Sequence, residues 1–355
     1  MFLNCIQFMR KCKFVAQSAL NMDIIVIFFL YFVLLRCILD SYNESCTHFK
    51  IIIGEVKMKV LSFGSLNVDY VYRLPHVVVK GETISSKALN IYPGGKGLNQ
   101  SIALGKAGAE VYHAGAIGED GRFLIECLED AGVNTRFIKV FAGIKSGHAI
   151  IQNTDDGDNC IFLFGGANQK ITKEQVDETL AYFENGDYLV LQNEINELKY
   201  IVEKAHSKGM KIMLNPSPMN EIIKELPLEY VDCFLLNEIE AAQVLGKEIS
   251  DPDAIITALA EVFPNAKVVL TLGSEGSVYS DGTQKHHQGI YKVKAVDTTA
   301  AGDTFAGYFI AGEAAGRDVK ESMDMAAKAS AIAVSRHGAG VSIPELNEVE
   351  KFICE

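Results

Sequence analysis

Asp303 stands at a point in the sequence where a carboxylate can take part in chemistry. It follows a strand-like run at 289–296 and a stretch of small residues that opens a predicted helix at 305–315, and we place it within the first turn of that helix. The first N–H groups of a helix lack intrahelical partners and carry the positive end of its dipole, so they form an anion site. A carboxylate beside a bound phosphate is placed to take a proton from an attacking hydroxyl. Capping of the helix explains Asp303 equally well from this stretch alone.

A glycine-rich turn that also carries polar side chains is the second candidate. Gly94, Gly95 and Gly97 let a ligand approach the backbone closely. A tight turn selected for its geometry explains these glycines but not the neighbouring Lys96 and Asn99. The turn lacks the glycine spacing and the Ser or Thr of a P-loop, and it lacks the last glycine of the dinucleotide-binding fingerprint. Both of those nucleotide-binding classes are therefore disfavoured.

Asn67 and Asp69 follow the predicted strand at 60–63. Ligands of α/β sheets bind beyond the carboxyl ends of strands. The two side chains point the same way if the chain stays extended, which suits hydrogen bonds to vicinal hydroxyls. Asn and Asp are also frequent in ordinary turns, so this pair alone leaves both interpretations open.

Two more polar segments follow predicted strands further along the chain. Asn237 and Glu240 come after the strand at 233–236 and lie on one side of a helical turn. Carboxylates at strand ends commonly hold Mg²⁺, but a helix cap completed by Glu240 explains the pair structurally. The glycine turn at 271–276 either lies along a nucleotide or is ordinary turn chemistry.

The elements that position these residues alternate between strands and helices from residue 58 onward. Several predicted strands are continuously apolar, as in a parallel sheet covered by helices on both faces, so the sequence predicts a doubly wound α/β fold. The segments 70–92 and 146–164 break this pattern as two β-hairpins, which we expect to pair into one small sheet beside the main one. The predicted strands lie at 60–63, 111–114, 188–191, 211–214, 233–236 and 268–272, and the helices at 98–107, 123–131, 175–183, 198–207, 238–245 and 254–262.

The composition excludes several classes of function. The formal net charge of −12 over 355 residues argues against a nucleic-acid-binding surface, which would be basic. No two of the eight cysteines have the C-x-x-C spacing of a zinc or redox site, and the histidines form no ligand cluster in the sequence. We therefore expect mostly reduced cysteines and a cytoplasmic location.

The first 57 residues differ from the rest of the chain. An apolar run at 24–35 is bounded by Asp23 and Arg36, and its twelve residues are short for a membrane span. A secretory signal, a short membrane anchor, or sequence translated ahead of the true start each explain it. We favour the last, because Met58 stands immediately before the first core strand and because a glycosylation sequon at 99–101 would lie in the candidate site of a secreted chain. We expect a chain that starts at Met58 to be soluble and fully active, with no membrane partner.

Taken in order, these motifs resemble the ribokinase-like family of carbohydrate kinases, also called the phosphofructokinase-B family, from about residue 58 to the C-terminus. The signatures are Gly94-Gly95-Lys96-Gly97-x-Asn99-Gln100 and Asp297-Thr-Thr-Ala-Ala-Gly-Asp303, with Asn237-x-x-Glu240 between them. The ribokinase branch of the family is nearest, through Ser65-x-Asn67-x-Asp69, Gln192-Asn193-Glu194 and Arg336-His337-Gly338-Ala339. The resemblance implies a doubly wound, mostly parallel sheet flanked by helices in a kinase domain at 58–355, with a small β-sheet lid at about 67–93 and 146–168.

The resemblance also implies an ATP-dependent kinase that phosphorylates the primary hydroxyl of a pentose, with D-ribose as the first expectation, and a homodimer paired through the lid. A fructokinase, a deoxyribokinase or a nucleoside kinase remains an alternative, because polar groups that recognise a polyhydroxylated ring do not fix which ring is bound. A non-catalytic sugar-sensing protein on the same fold would be expected to lack Asp303 or Glu240, and both are present.

The resemblance further implies a role for each candidate residue. Asp303 is expected to act as the base, and the anion hole for the transferring phosphoryl group is expected at the N–H groups of Ala300, Ala301, Gly302 and Asp303. The expected sugar ligands are Asn67, Asp69, Gly95, Lys96, Gly97, Asn99, Glu194 and Asp303. The expected nucleotide contacts are Asn237, Thr271, Gly273, Ser274, Gly276, Gly302 and Ala327. Glu240 is expected to organise Mg²⁺, and a K⁺ ion is expected at Asp297, Thr299, Ala333, Arg336, Gly338 and Ser342.

Two positions depart from the family pattern. Ala300 stands where glycine is more common, but its N–H stays available, so we expect no loss of catalysis. Ala327 stands where related kinases often have Asn or His near the adenine. We expect the base contacts to weaken or to pass to Lys328 and the backbone, which leaves the nucleotide preference open.

Overall fold

A computed structural model describes residues 58–155 and 158–353, so the predicted N-terminal extension at 1–57 lies outside the described residues. The described strands, in chain order, are β1 Lys59–Phe63, β2 Asn67–Leu74, β3 Ala88–Gly94, β4 Glu110–Gly118, β5 Asn134–Phe141, β6 Gly147–Thr154, β7 Asn159–Phe164, β8 Tyr188–Gln192, β9 Lys211–Asn215, β10 Cys233–Asn237, β11 Lys267–Thr271, β12 Ser277–Ser280 and β13 Lys285–Gln288. The described α-helices are α1 Lys96–Lys106, α2 Arg122–Asp130, α3 Lys173–Leu180, α4 Leu198–Ser207, α5 Glu238–Leu245, α6 Pro252–Val262, α7 Ala301–Ala314, α8 Val319–Val334 and α9 Leu346–Glu350.

The main sheet of the described chain has the strand order β13-β12-β11-β10-β9-β8-β1-β4-β5. Its strands run parallel from β11 to β5, whereas β12 and β13, at one edge, are antiparallel. The central strands are apolar along most of their length because helices cover both faces. Leu98 of α1, Leu124 of α2 and Phe309 of α7 bury one face, and Ile201 of α4 and Ile255 of α6 bury the other. The predicted doubly wound α/β fold is thus confirmed.

The two predicted β-hairpins pair into one small sheet with the strand order β3-β2-β6-β7, which we call the lid. Each hairpin is antiparallel, and the hairpins join because β2 and β6 run parallel, with Asn67 opposite Gly147. The residues of the edge strand β7 are all exposed, and Ile161, Phe162 and Leu163 each keep more than half of their surface open. An uncovered apolar edge strand is suited to pairing with another chain.

The predicted strand at 289–296 is wrong. β13 ends at Gln288, at the edge of the main sheet, and the chain beyond it has no strand to pair with among the described residues. The backbone N–H groups of Val296 and Asp297 donate instead to the carbonyl of Val334, at 2.7 and 3.2 Å, at the end of α8. The segment is therefore held against a helix end rather than in the sheet.

Helix α7 begins at Ala301 rather than at the predicted residue 305. The Thr304 N–H donates to the Ala300 carbonyl at 2.8 Å, so the first helical hydrogen bond forms upstream of the predicted start. Asp303 consequently lies within the first turn of α7, as predicted, although the helix starts four residues earlier.

The described helices are short. The longest of them, α8, has 16 residues, several of them charged. Among residues 58–155 and 158–353, no helix has both the length and the apolar composition that crossing a membrane requires.

Candidate active site

Asp303 is buried on α7, where two side-chain amides from α1 hold its carboxylate. Asn99 Nδ2 donates to Oδ2 at 3.1 Å, and Gln100 Nε2 donates to Oδ1 at 3.0 Å. The Lys96 ammonium, also on α1, lies 3.9 Å from Oδ1. Each carboxylate oxygen has two lone pairs, so these bonds leave Asp303 able to accept a proton. Its side chain makes no cap for α7, which removes the helix-cap explanation.

The turn that starts α1 brings its first residues to Asp303. Gly95 has a φ of 95°, in the left-handed region that glycine adopts without strain. A Cβ at Gly97 would come within 2.7 Å of the Gly64 Cα, so α1 can pack against the end of β1 only where no side chain intervenes. The glycines are therefore needed to place Lys96 and the rest of this turn beside Asp303.

Glu194, which follows β8, holds the same turn from the other side. Its Oε2 accepts hydrogen bonds from the Ser65 hydroxyl and from the Lys96 backbone N–H, the latter at 2.9 Å. Ser65 Oγ in turn accepts from the Gly97 N–H at 3.2 Å. Burial raises the pKa of Glu194, although the hydrogen bonds from Ser65 and Lys96 and the Lys96 charge oppose the rise.

Asn67 and Asp69 lie on β2, the strand of the lid that follows β1. Asn67 Oδ1 accepts a hydrogen bond from Asn168 Nδ2 at 2.7 Å, which fixes the buried amide. Burial, and after it the negative charge of Glu194, raises the pKa of Asp69 to about 7. Shifts of this kind are concentrated at functional sites. Asn67, Asn168 and Glu194 line a space of about 250 Å³, which we call the lid cavity.

Asn237 and Glu240 form a capping box at the start of α5. Asn237 Oδ1 accepts from the Glu240 N–H at 2.9 Å, and Glu240 Oε2 accepts from the Asn237 N–H at 3.0 Å. The structural explanation for this pair is therefore present. Both residues also line a cavity of about 80 Å³ that Lys96 and Asp303 share, which we call the Asp303 cavity. In the described chain Glu240 Oε1 has no protein partner, so the cap leaves one carboxylate oxygen for this cavity.

A cavity of about 640 Å³, which we call the large cavity, adjoins the Asp303 cavity, because Thr271 and Gly302 line both. Much of its remaining wall is apolar and includes the segment at 289–296 that does not form a strand. Asn237 lines only the Asp303 cavity and not the large one. The other predicted nucleotide contacts line the large cavity, namely Thr271, Gly273, Ser274, Gly276, Gly302 and Ala327.

The start of α7 supplies backbone donors where these two cavities meet. Ala300 has a φ of 61°, a left-handed conformation that is strained for alanine. The Ala301 N–H donates to the Thr298 carbonyl at 3.2 Å. Within the part of the chain that the structure describes, the N–H groups of Ala300, Gly302 and Asp303 have no acceptor, so these three predicted anion-hole donors are open.

The predicted cation ligands come from two segments, the loop before α7 and the chain at the end of α8. Asp297 Oδ1 accepts from the Thr299 N–H at 2.9 Å, and Oδ2 accepts from the Gly338 N–H at 3.0 Å. The structure therefore brings these three residues into direct contact just upstream of α7.

The other predicted cation ligands lie in the chain that follows α8. The Ala333 carbonyl accepts from the Arg336 N–H at 3.1 Å in the turn at the end of that helix. Ser342 is buried in a short 3₁₀ turn, where its hydroxyl donates to the Ala339 carbonyl at 2.8 Å. The Arg336 guanidinium donates to Glu348 Oε1 at 2.6 Å, so the side chain is engaged elsewhere and the backbone is the part of Arg336 left for a cation.

Several polar residues of the site had no assigned role in the sequence-based prediction, among them Gln100, Gln192, Asn215 and Asn168. Gln100 follows Asn99 on α1 and donates to Asp303. Gln192 and Asn215 end β8 and β9 as Asn237 ends β10, and this position at strand ends is the signal that could have found them. Asn215 lines the Asp303 cavity, and its buried Oδ1 has no partner in the described chain. Asn168 follows the lid and contacts Asn67 across 101 residues of sequence, for which no local pattern gives a signal.

The arrangement combines a held carboxylate, a nearby ammonium and open backbone donors at the junction of the cavities. A carboxylate in this position can deprotonate a hydroxyl, and the ammonium and N–H groups can stabilise negative charge on a transferring phosphoryl group. This chemistry is phosphoryl transfer to an alcohol.

Comparison with known proteins gives the same chemistry. The pfkB family carbohydrate kinase model matches residues 57–346. A ribokinase from Staphylococcus aureus (strain COL) is 35% identical over 304 residues, which cover 82% of this chain and 99% of the relative. The structure of Arabidopsis thaliana ribokinase complexed with ribose and ATP is similar at a TM-score of 0.75 and 30% identity, over 83% of this chain and 98% of that one.

A second solved structure agrees with the first. The ribokinase from Cryptococcus neoformans var. grubii serotype A, in complex with ADP, is similar at a TM-score of 0.73 and 32% identity, over 83% of this chain and 99% of that one. The matched family region contains both signature motifs and the Asn237 and Glu240 pair. The chain therefore belongs to the pfkB family of carbohydrate kinases.

Proposed function

We propose that this chain is an ATP-dependent kinase that phosphorylates the primary hydroxyl of a pentose, with D-ribose as the first candidate. The observation that carries the proposal is the buried Asp303 carboxylate, which lines a small cavity that shares Thr271 and Gly302 with the large cavity. The Arabidopsis relative is complexed with ribose and ATP, and the Cryptococcus relative with ADP, which supports the same classes of substrate here.

Asp303 takes the proton of the primary hydroxyl while that oxygen forms a bond to the γ-phosphorus of ATP. The bond between this phosphorus and the bridging oxygen of ADP breaks, so the products are a sugar phosphate and ADP. Asn99 and Gln100 hold the carboxylate in one orientation, which favours a defined approach of the hydroxyl. The remaining sugar hydroxyls are bound by the predicted ligands Asn67, Asp69, Gly95, Lys96, Gly97, Asn99 and Glu194. Of these, Asn67 and Glu194 line the lid cavity, and Lys96 lines the Asp303 cavity.

The negative charge that develops on the phosphoryl oxygens is stabilised by the start of α7. The open N–H groups of Ala300, Gly302 and Asp303 support this role, because they need no rearrangement to accept an anion. The Ala301 N–H contributes only if it leaves the Thr298 carbonyl. The large cavity, with Thr271 and Ala327 on its wall, holds the nucleotide.

Glu240 is the residue that would hold Mg²⁺, which when bound neutralises charge on the ATP phosphates. Its Oε2 is committed to the capping box, and its Oε1 has no protein partner in the described chain. Residues 58–155 and 158–353 contain no group of three or more His, Cys, Asp or Glu side chains that would hold a metal. The donor set therefore fits a cation shared between one carboxylate and substrate phosphates.

We also propose a K⁺ site around Asp297, with Thr299, Ala333, Arg336, Gly338 and Ser342 as its predicted surroundings. Asp297 joins the loop before α7 to residue 338, and its own N–H joins the loop to Val334 of α8. A closed loop of this kind is suited to directing backbone carbonyls at a cation. Its contribution to catalysis is to hold the left-handed turn at Ala300 and thereby the open N–H groups.

The lid supports a homodimer. β7 is an exposed edge strand that carries four large apolar side chains, and Leu89 and Ile91 on β3 are also about half exposed. Burial of such residues against a second copy of the lid would remove apolar surface from water. We further propose a cytoplasmic location, where ATP is available and thiols such as those of Cys127 and Cys160 stay reduced.

A coupled assay of ATP consumption tests the proposed function. D-ribose, deoxyribose, fructose and nucleosides are compared as acceptors, each in K⁺ and in Na⁺ buffer. We expect the highest kcat/KM with D-ribose in K⁺. A hexose or a nucleoside as the best acceptor would replace the pentose assignment. If none of these acceptors supports ATP consumption, the sugar-kinase assignment is refuted.

A further inference from the structure

We propose that Gln100 and Gln192 are positioning residues, forming a buried relay of two amides that fixes the orientation of the Asp303 carboxylate. This inference rests on the proposed function, in which Asp303 is the base. Gln192 Nε2 donates to Gln100 Oε1 at 2.7 Å, and Gln100 Nε2 donates to Asp303 Oδ1 at 3.0 Å. Each glutamine keeps only 1% of its surface exposed, so water cannot replace either bond.

The direction of both hydrogen bonds follows from the charge on Asp303. A carboxylate only accepts hydrogen bonds, so Gln100 must turn its N–H toward Oδ1. Its carbonyl oxygen then faces Gln192, which must supply an N–H in turn. The orientation of the outer amide is thus coupled through the inner amide to the carboxylate, because reversing either one would set two acceptors against each other.

An unsatisfied atom in Gln192 supports this function. In the described chain Gln192 Oε1 is buried without a partner, and a Cβ at Gly64 would contact it. A buried acceptor that lacks a donor destabilises the fold. Only the N–H side of this buried amide has a partner, and that partner is Gln100, so the hydrogen bond to Gln100 is the interaction that the Gln192 side chain supplies.

The relay lies on rigid elements. Gln192 ends β8 in the middle of the main sheet, and Gln100 is in the second turn of α1. Helices α1 and α7 approach so closely that a Cβ at Gly307 would lie 3.0 Å from the Gln100 carbonyl. Asn99, a proposed sugar ligand, donates to Oδ2 of Asp303, whereas the relay donates to Oδ1. The carboxylate therefore keeps one fixed support when a sugar engages Asn99.

A double-mutant cycle tests the relay, with methionine used because it keeps the volume of glutamine and loses both polar groups. We expect Gln100→Met to lower kcat by about 10- to 100-fold, with KM for D-ribose and for ATP within about twofold of wild type. Gln192→Met should lower kcat by about 3- to 10-fold. The double variant should equal Gln100→Met alone, because Gln192 acts only through Gln100.

Gln175→Met is the matched control. Gln175 is a buried glutamine of α3 that donates to the Gly115 carbonyl at 2.9 Å, so its loss costs stability without reaching Asp303. Its kcat should be that of wild type, and thermal unfolding shows whether each variant folds. Effects of the two relay variants that multiply, or an unchanged kcat in Gln192→Met, would overturn the proposal.

A crystal structure of Gln192→Met gives a readout that does not depend on which acceptor the enzyme uses. We expect the Asp303 carboxylate to rotate, or the Gln100 side chain and that carboxylate to occupy two conformers, because the outer support of the inner amide is gone. Unchanged single conformers of both side chains would overturn the relay, even if the assay screen had already refuted the pentose assignment.

Discussion

The Lys96 ammonium lies 3.9 Å from the Asp303 carboxylate, Nζ to Oδ1, with each residue on the first turn of its helix. The negative charge of Asp303 is the main cause of a raised pKa at Lys96. Burial lowers this pKa, whereas the charges of Glu194 and Glu240 raise it further. Lys96 thus stays charged among three carboxylates, where a phosphate would add further negative charge. In the proposed reaction, this pair marks the point at which the sugar hydroxyl meets the γ-phosphate of ATP.

Replacing Asp303 by Asn removes the base and keeps the shape of the side chain. We expect kcat to fall by about 100-fold or more, since general bases contribute two to four orders of magnitude. Steady-state kinetics measure the loss, and calorimetry checks that the sugar still binds. Asp281→Asn is the control, because Asp281 accepts from Thr283 and Gln284 in the β12–β13 turn and should affect stability alone. A near-normal kcat in Asp303→Asn with sugar binding intact would refute the assignment.

Sugar affinity should depend on the ionisation of Asp69, whose pKa burial and Glu194 raise to about 7. The ionised carboxylate accepts hydrogen bonds from sugar hydroxyls, so we expect the sugar KM to fall as the pH rises through about 7. Stability moves the other way. Because folding favours the protonated form, the contribution of Asp69 is present below its ordinary pKa of 3.8 and is lost as the pH rises through about 7.

Kinetics between about pH 6 and 8 measure the trend in the sugar KM, and thermal unfolding between about pH 4 and 8 measures the trend in stability. Asp69→Asn should flatten them, because the amide does not titrate. Asp155→Asn is the control in the same lid, since Asp155 is exposed and pairs with Arg73 and Lys87. A slope of the sugar KM that survives in Asp69→Asn would show that another group titrates.

Ala300→Gly should stabilise the protein by about 1 kcal/mol, because the left-handed φ of 61° is strained for alanine and free for glycine. Ala301→Gly should have the opposite sign and cost about 0.5 kcal/mol, since Ala301 is helical. Urea unfolding compares the two variants directly. Changes of the same sign would mean that the left-handed turn is not a source of strain.

The proposed cation site predicts activation by K⁺. At constant ionic strength we expect a higher kcat in KCl than in NaCl, and a higher K⁺ requirement in Asp297→Asn, because the amide binds a cation more weakly. Asp318→Asn is the control, since Asp318 caps the other end of α8. Equal rates in potassium-free buffer would remove the site from the proposal.

The proposed pairing of two lids predicts that a charge on the exposed strand β7 breaks the dimer. We expect Phe162→Asp to convert a dimer to a monomer in light scattering, because the charge would be desolvated at the interface. Ile239→Asp places the same charge on α5, outside the lid, at a side chain that is 71% exposed, and should leave the dimer intact. A wild-type monomer at micromolar concentration, or a dimer in both variants, would contradict pairing through the lid.

Sequence patterns were sufficient for the core strands but not for the edge of the sheet. The predicted strand at 60–63 is β1 with one residue added, because a buried parallel strand is a continuous apolar run. The run at 289–296 is also strand-like, with two lysines among its apolar residues, yet it lies outside the sheet and bonds to the end of α8. Whether a partner strand is adjacent depends on the whole topology, which no window of sequence contains.

The site divides in the same way. Lys96, Asn99 and Asp303 were predicted as candidates because compact motifs carry them, and the structure brings them together. Gln192 belongs to a family motif but had no predicted role. Its only side-chain partner in the described chain, Gln100, is 92 residues away in the sequence. Contacts at such separations are created by folding and leave no spacing to recognise.

Three residues, 64–66, join β1 to β2, and β2 carries Asn67 and Asp69 into the lid. The Asp303 carboxylate and the Lys96 ammonium lie on helices of the main sheet. In the proposed function, any displacement of the lid would therefore withdraw two sugar ligands from Asp303 at once, and sugar exchange would depend on lid movement. A substitution that closes the lid more firmly should improve capture and slow departure together, so turnover has an optimum at intermediate lid stability rather than at the highest.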